Sequence, residues 1–489
     1  MTPRRPITAL AGAVAIGSAV LLAGAATAGA TPIATAATKG PWTTAIEVPG
    51  LATLNAGGRA EVQSVSCAAP GSCAAVGSYL DGSGNLQGFV VSQQDGVWGN
   101  ATEVPGLAAL NVAGFAEALT VSCGSAGNCA AGGYFYDHHN HQQAFVVNEQ
   151  NGAWGNAAAV PRLAALSLGF AEVVTISCEP TGSCSAGGYY YDRHGQQAFV
   201  ASEQNGTWGG AIEVPGLAAL NAGFKGLDAI AGVSSVSCNS PGDCAAAGGY
   251  QDRHGNGQGF LVSERNGTWA KAIKPPGLVP LNAGGEAGVN MVSCTSAGNC
   301  AAGGSYKVKA GHAEGFVISE RNGTWGKASK VPGLASLTPP SEPTRVNAVD
   351  CTSAGNCVAA GGYQDRHAHS QGFVVSKRNG TWAKAVTVPG LPALNTGGSA
   401  RVLVLSCSST GNCSAGGTYL NRQKDQEAFV VSEQNGTWGK AIEIPGLGSL
   451  NTGVAQISEV SCAPAGGCSA AGFYQDQQQA VQGFVVSHP

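Results

Sequence analysis

Eight of the nine histidines in this 489-residue chain fall in short polar stretches, and most of those stretches also hold an aspartate. They read Asp137-His138-His139-Asn140-His141, Asp192-Arg193-His194, Asp252-Arg253-His254 and Asp365-Arg366-His367-Ala368-His369, with His312 in a fifth. Tyrosines lead into them: Tyr134 and Tyr136, Tyr189 and Tyr191, Tyr250, Tyr363. Imidazole beside carboxylate is a donor set for a divalent metal. Arginine beside aspartate suits polar sugars or acidic glycans, and tyrosine rings at the strand ends would supply a stacking platform. The bland reading is turn chemistry, because aspartate accepts hydrogen bonds from the backbone two residues on. The candidate ligand-binding set is Asp137, His139, His141, Tyr191, Asp192, Arg193, His194, Asp252, Arg253, His254, Asp365, Arg366 and His367. No cofactor is expected, a divalent metal being the alternative.

The elements that position these residues recur. The phrase Val-Ser-Cys or a near variant, five residues, then a second cysteine and small residues ending in an aromatic, appears eight times. The leading cysteines are Cys67, Cys123, Cys178, Cys238, Cys294, Cys351, Cys407 and Cys462, spaced by 56, 55, 60, 56, 57, 56 and 55 residues. The trailing ones are Cys73, Cys129, Cys184, Cys244, Cys300, Cys357, Cys413 and Cys468, and eight tryptophans keep the same beat. Each unit holds four strand-like runs. In the third they are Glu172 to Cys178, Cys184 to Tyr191, Gln197 to Glu203 and Trp208 to Val214. Short strands at regular spacing with turn residues between them predict an all-β chain. Four per repeat predict an eight-bladed β-propeller over residues 42–489. The phase of the repeat agrees. The chain opens on a lone fourth strand, Trp42 to Val48, and closes after a third strand ending at Val485-Val486-Ser487. The two fragments make one blade, so the N-terminal strand is expected to close the ring and hide two sheet edges.

In an exported chain, cysteines paired at fixed spacing read as disulfides, each within its own C-x5-C loop. Every such loop has glycine in its fourth place, as at Gly71, Gly127 and Gly182, which predicts a positive φ there. Asn-Gly at Asn205, Asn266, Asn322, Asn379 and Asn435 predicts type I′ hairpins. The same letters spell glycosylation sequons, and turns are the preferred reading.

The run Ser202-Glu203-Gln204-Asn205-Gly206-Thr207-Trp208 resembles the Asp-box of sialidase-type propellers, shortened by one residue between glycine and tryptophan and with the acid displaced or replaced by Asn. That box is structural, so the resemblance implies a propeller and no catalytic residues. The whole repeat also resembles tandem cysteine-containing repeats of secreted actinobacterial proteins, mostly without assigned activity.

Arg4 and Arg5, the apolar run from Ile7 and the small residues around Ala28 and Ala30 form the pattern of a secretory signal over residues 1–30, with a short linker at 31–41. An uncleaved anchor is the alternative. Loss of those two arginines takes the formal charge from −4 to −6, which disfavours nucleic acid as a partner. Charged residues make up 11% of the chain and glycine 74 positions, a balance suited to strands buried on both faces. The expected localisation is extracellular, with possible association to a cell wall, and the expected state a monomer.

The loops between second and third strands, and the connectors between blades, share one face, and it holds the histidines. Two connectors break the pattern, Phe224 to Gly232 and Thr338 to Thr344, as does the loop with Lys307 and Lys309. No G-x-S-x-G elbow, H-E-x-x-H pair or phosphate loop is present. The leading expectation is an extracellular module that binds a glycan, cell-wall or protein ligand. The alternatives are a glycan-active hydrolase or lyase at the channel mouth, and a structural envelope protein.

Overall fold

A computed structural model describes residues 42–221 and 230–489. The expected signal and linker, and most of the connector beginning at Phe224, lie outside those residues. Eight antiparallel sheets follow one another along the chain, each meandering outward from its first strand. We number the blades by their first strands, from Ala60–Ala69 in blade 1 to Ala455–Cys462 in blade 8.

Blade 3 shows the plan: Ala171–Cys178, Cys184–Asp192, Gly195–Gln204, then an outer strand in two pieces, Thr207–Trp208 and Ile212–Glu213. The outer strand breaks where the Gly209 amide donates back to the carbonyl of Ser202 at 2.9 Å. Each first strand packs on the first strand of the next blade, and blade 8 packs on blade 1, which closes the ring around a central axis. Closure uses the N-terminal segment. Ile46–Glu47 pairs with Val481–His488, setting Ile46 opposite Val485 and Glu47 opposite Phe484. Trp42, Ala45 and Val48 are buried as the strand docks.

Between the faces of adjacent blades lies one layer of side chains. Phe199, Val200 and Ala201 of blade 3 are buried on both sides of their strand, as are Phe89, Val90 and Val91 of blade 1. This explains why the third strands read as continuous apolar runs rather than alternating ones. The connectors carry something the sequence reading omitted, a single helical turn such as Leu51–Leu54 or Leu107–Leu110. One turn is too short to show helical periodicity; burial of Leu51 and Leu107 holds it in place.

All sixteen cysteines pair within their own loops, from Cys67–Cys73 to Cys462–Cys468. Gly71 in the first of these loops has φ 71°, and its carbonyl accepts the amide of Gly96 at 2.9 Å. Gly96 belongs to the hairpin turn between third and fourth strands, so the two turns are tied together on one face. Asn205 and Gly206 have φ 52° and 79°, as a type I′ turn requires.

Around the axis, the serine of each Val-Ser-Cys phrase reaches the next blade. Ser66 accepts the amide of Cys123 at 2.9 Å, Ser122 that of Cys178, and so on to Ser461, which accepts the amide of Cys67 at 2.9 Å. These bonds satisfy inner-edge amides that no further strand can pair. Blade 6 departs, with Asp350 in the serine's place accepting the Cys407 amide at 2.7 Å. Two positions earlier in the phrase, Ser64, Thr120, Thr175 and Ser235 bond the following blade in the same way. Blade 8 has Glu459 at that position. Both carboxyls sit deep in the molecule and are only partly exposed. Burial pushes Asp350 up to about 6, against the bonds from Cys407, Ser293 and Cys351. Burial, with Asp350 adding repulsion, pushes Glu459 up to about 7.

A raised folded-state pKa stabilises the protonated form, so these groups cost nothing below about pH 4, where both states are protonated. Their cost grows from about pH 4, where the unfolded carboxyls ionise, and is complete once pH passes the folded values of about 6 and 7. Stability should therefore fall between about pH 4 and pH 7 and level off above. The double variant Asp350→Ser, Glu459→Thr, which restores the residues of other blades, should flatten that fall and gain about 2 kcal/mol at pH 8, allowing for water in the channel. Thermal unfolding across that range measures it; an unchanged slope would show that the two carboxyls do not titrate as placed.

Candidate functional site at the channel mouth

Each first strand begins at the face carrying the histidine loops, beside the axis. The amide of Gly57 in a blade connector donates to Leu80 at the end of a second strand, and the amide of Leu86 donates to Gly114 in the next connector. Loops and connectors thus form one rim. The second residue of each first strand and its cross-strand partner stand at that rim. Around the ring the pairs are Glu61 with Ser78, Glu117 with Tyr134, Glu172 with Tyr189, Gly232 with Gly249, Gly288 with Ser305, Arg345 with Gly362, Arg401 with Thr418 and Gln456 with Phe473.

Blades 2 and 3 differ from the rest. In blade 2, Phe115 stacks on Tyr134 with ring centres 6.2 Å apart and meets Tyr136 edge-on at 5.5 Å. In blade 3, Phe170 stacks on Tyr189 at 6.2 Å and meets Tyr191 edge-on at 5.2 Å. Phe115, Phe170 and Tyr191 are exposed. The two triads are joined. Tyr136 donates to the Gln142 carbonyl oxygen at 3.1 Å, Gln142 donates to Glu172 at 3.2 Å, and Tyr189 donates to the same Glu172 oxygen at 2.9 Å.

Burial holds Glu172 above the usual carboxylate range, and repulsion from Glu117 adds to the rise while Tyr189 and Gln142 offset part of it. Glu117 is raised for the same reason; Tyr134 and Arg59 lower it and Glu61 raises it. Burial and the neighbouring carboxylates push both tyrosine hydroxyls well above their normal range.

The loop residues singled out from the sequence are spread over the same face, in blades 2, 3, 4 and 6. Tyr191 belongs to the blade 3 triad, and its hydroxyl donates to Gln196 at 3.0 Å. Arg193 donates to the His194 ring at 3.0 Å and Arg253 to His254 at 3.2 Å, all four side chains being exposed. The aspartates serve their own turns. Asp137 accepts the amides of His139 and His141, Asp192 that of His194, Asp252 those of His254 and Asn256, and Asp365 those of His367 and His369, at 2.7 to 3.0 Å. Those bonds hold Asp137, Asp252 and Asp365 below the usual range against a burial effect that raises them. Arg366 and His367 stand exposed on blade 6, remote in sequence from the triads. Among the described residues no group of three or more His, Cys, Asp or Glu is placed to hold a metal ion.

Two tyrosines grouped with the stacking platform do not belong to it. Tyr250 and Tyr363 are buried, at the position of Tyr190 rather than of Tyr189 or Tyr191. Strand side chains alternate between faces, so in Tyr189-Tyr190-Tyr191 the middle ring turns into the core and the outer two reach the rim. The sequence reading also passed over Glu61, Glu117 and Glu172. Their signal was an Ala-Glu pair opening three successive repeats, where later repeats have glycine, arginine or glutamine.

No family model matches the sequence, and no curated protein matches it. Solved structures resemble the chain only at low identity and low TM-score. A polysaccharide lyase described as an ulvan lyase is 11% identical over 74% of this chain and 90% of its own, with a TM-score of 0.43. A subtype N11 neuraminidase-like protein of A/flat-faced bat/Peru/033/2010 is 7% identical over 92% and 94%, at 0.34. A Hadza microbial sialidase is 9% identical over 70% and 68%, at 0.35. Likeness at this level says nothing about chemistry.

Proposed function

We propose that this protein is an extracellular glycan-binding propeller whose ligand lies across the channel mouth on blades 2 and 3. One observation carries the reading: two adjacent aromatic triads, partly exposed, each with a glutamate hydrogen-bonded or held against a tyrosine hydroxyl. Sugar rings stack on aromatic faces through their C–H surfaces, and their hydroxyls pair with carboxylate and amide groups; this floor offers both. Arg193 and His194 on the rim extend the polar contact. Eight local disulfides suit an oxidising compartment, and no helix among the described residues is long and apolar enough to cross a membrane.

A glycan array and a cell-wall pull-down on the mature protein test this. Saturable binding should fall about 100-fold when Phe115, Phe170 and Tyr191 are all replaced by alanine, each ring contributing about 1 kcal/mol. It should fall less when Tyr191, Arg193 and His194 are replaced. Undiminished binding in the first variant would move the ligand elsewhere. A second reading, a glycan-active hydrolase or lyase, draws on the raised carboxyls of Glu117 and Glu172. It requires turnover that Glu172→Gln abolishes while binding persists.

A further inference from the structure

Resting on that glycan-binding reading, we infer that the ligand at the mouth carries protonated amines, as in a glycan built from amino sugars with free amino groups. The charges point to it. Glu61, Glu117 and Glu172 occupy one repeat position in three consecutive blades, so they form an arc along the aromatic floor. Arg59 forms an ion pair with Glu61 at 3.1 Å. Among the described residues no cation lies within ion-pair distance of Glu117 or Glu172. Glu117 repels Glu172 across the blades with no cation offsetting it, whereas at Glu117 the pull of Arg59 at least balances the repulsion from Glu61. An ammonium group on the ligand would relieve that repulsion, whereas a uronate or sulfate would add to it.

The rings favour the same chemistry. A cation over an aromatic face is attracted by the ring quadrupole, and a cage of several rings is a known way to hold an ammonium. Phe115 and Phe170 are exposed, and they stack on Tyr134 and Tyr189, the residues paired with Glu117 and Glu172. Aromatic faces and acids with no ion-pair partner among the described residues therefore coincide. Elsewhere on the ring the same position holds glycine on blades 4 and 5, Arg345 and Arg401 on blades 6 and 7, and Gln456 on blade 8. Those arginines lie across the axis from the acid arc, and they would repel an amine from the far side of the mouth. The occupant is thus directed to blades 1 to 3.

Calorimetric titration of the full mature chain with four oligosaccharides of equal length decides the matter. The probes are a β-1,4-glucosamine hexamer, its fully N-acetylated counterpart, a neutral glucose hexamer and a uronic acid hexamer, at a pH where the amines are protonated. The glucosamine hexamer should bind at least about 10-fold more tightly than the other three. In Glu117→Gln and Glu172→Gln that preference should shrink towards unity. Equal affinity for the amine and its acetylated form would overturn the inference and leave glycan binding standing. Tightest binding of the uronic acid hexamer would overturn it too. Binding of spermine with no sugar hexamer bound would support the amine site and defeat the glycan reading. Should neither hexamers nor spermine bind, both fail.

Discussion

A chain lacking residues 42–48 should unfold about 5 kcal/mol more easily than the intact protein, and a synthetic peptide of that sequence should restore the loss. The segment buries Trp42, Ala45 and Val48, side chains that contribute about 1.5–3 kcal/mol each when large and fully enclosed. It also makes the ladder bonds that complete the blade 8 sheet: Thr43 donates to Ser487 at 2.8 Å and Val48 to Gly483 at 3.0 Å. Without it, Val481–His488 becomes an exposed apolar strand edge, a template for pairing between molecules. The truncated protein should therefore aggregate as well as melt early, the melting temperature falling by several degrees in a chain this long. The peptide would dock by adding the missing strand, a mode in which main-chain bonds supply affinity. Thermal melts with and without peptide measure both effects. An unchanged melting temperature on truncation would mean that the ring holds without its clasp.

Replacing Gly188 with alanine should cost about 3 kcal/mol, whereas Gly249→Ala should be nearly silent. Every first strand carries a one-residue bulge near its start; in blade 3 it falls between Val173 and Thr175. Gly188 sits opposite Val173, and a Cβ there would lie 1.9 Å from the carbonyl oxygen of Glu172. The same clash recurs at Gly77, Gly133, Gly361, Gly417 and Gly472, each against a first-strand carbonyl. Relief would demand a backbone shift, and forcing an extra group into a filled site typically costs 1–3 kcal/mol or more. At Gly249, one residue past Gly248, the blade 4 equivalent of Gly188, the nearest atom to such a Cβ is 3.7 Å away, ordinary contact distance. Denaturant unfolding of the two variants separates them. Equal stability would refute the bulge as the reason for glycine. Because Gly188 precedes Tyr189, the first variant should also weaken ligand binding, as the bulge sets the angle at which Glu172 and Tyr189 reach the rim.

Much of this architecture is written in local sequence. Blade count, strand order, the N-terminal clasp, the cysteine pairing and the left-handed turn residues follow from a repeated pattern, because each repeat meets the same surroundings and so reuses the same residue types. The loop aspartates were legible too, as acceptors for their own turns. The site was only half legible. Tyr134, Tyr136, Tyr189 and Tyr191 stood out by type, yet Tyr250 and Tyr363 looked equivalent until strand alternation placed them in the core. The acid arc left only an Ala-Glu pair at the start of three repeats, because Glu61, Glu117 and Glu172 lie far apart along the chain; the packing of first strands about one axis makes them neighbours. The serine ring and the coupling of Asp350 to Glu459 have the same origin. Contacts within a blade depend on residues a hairpin apart, and the chain spells those out. Contacts between blades join residues one or more repeats apart, and those exist only once the ring has closed.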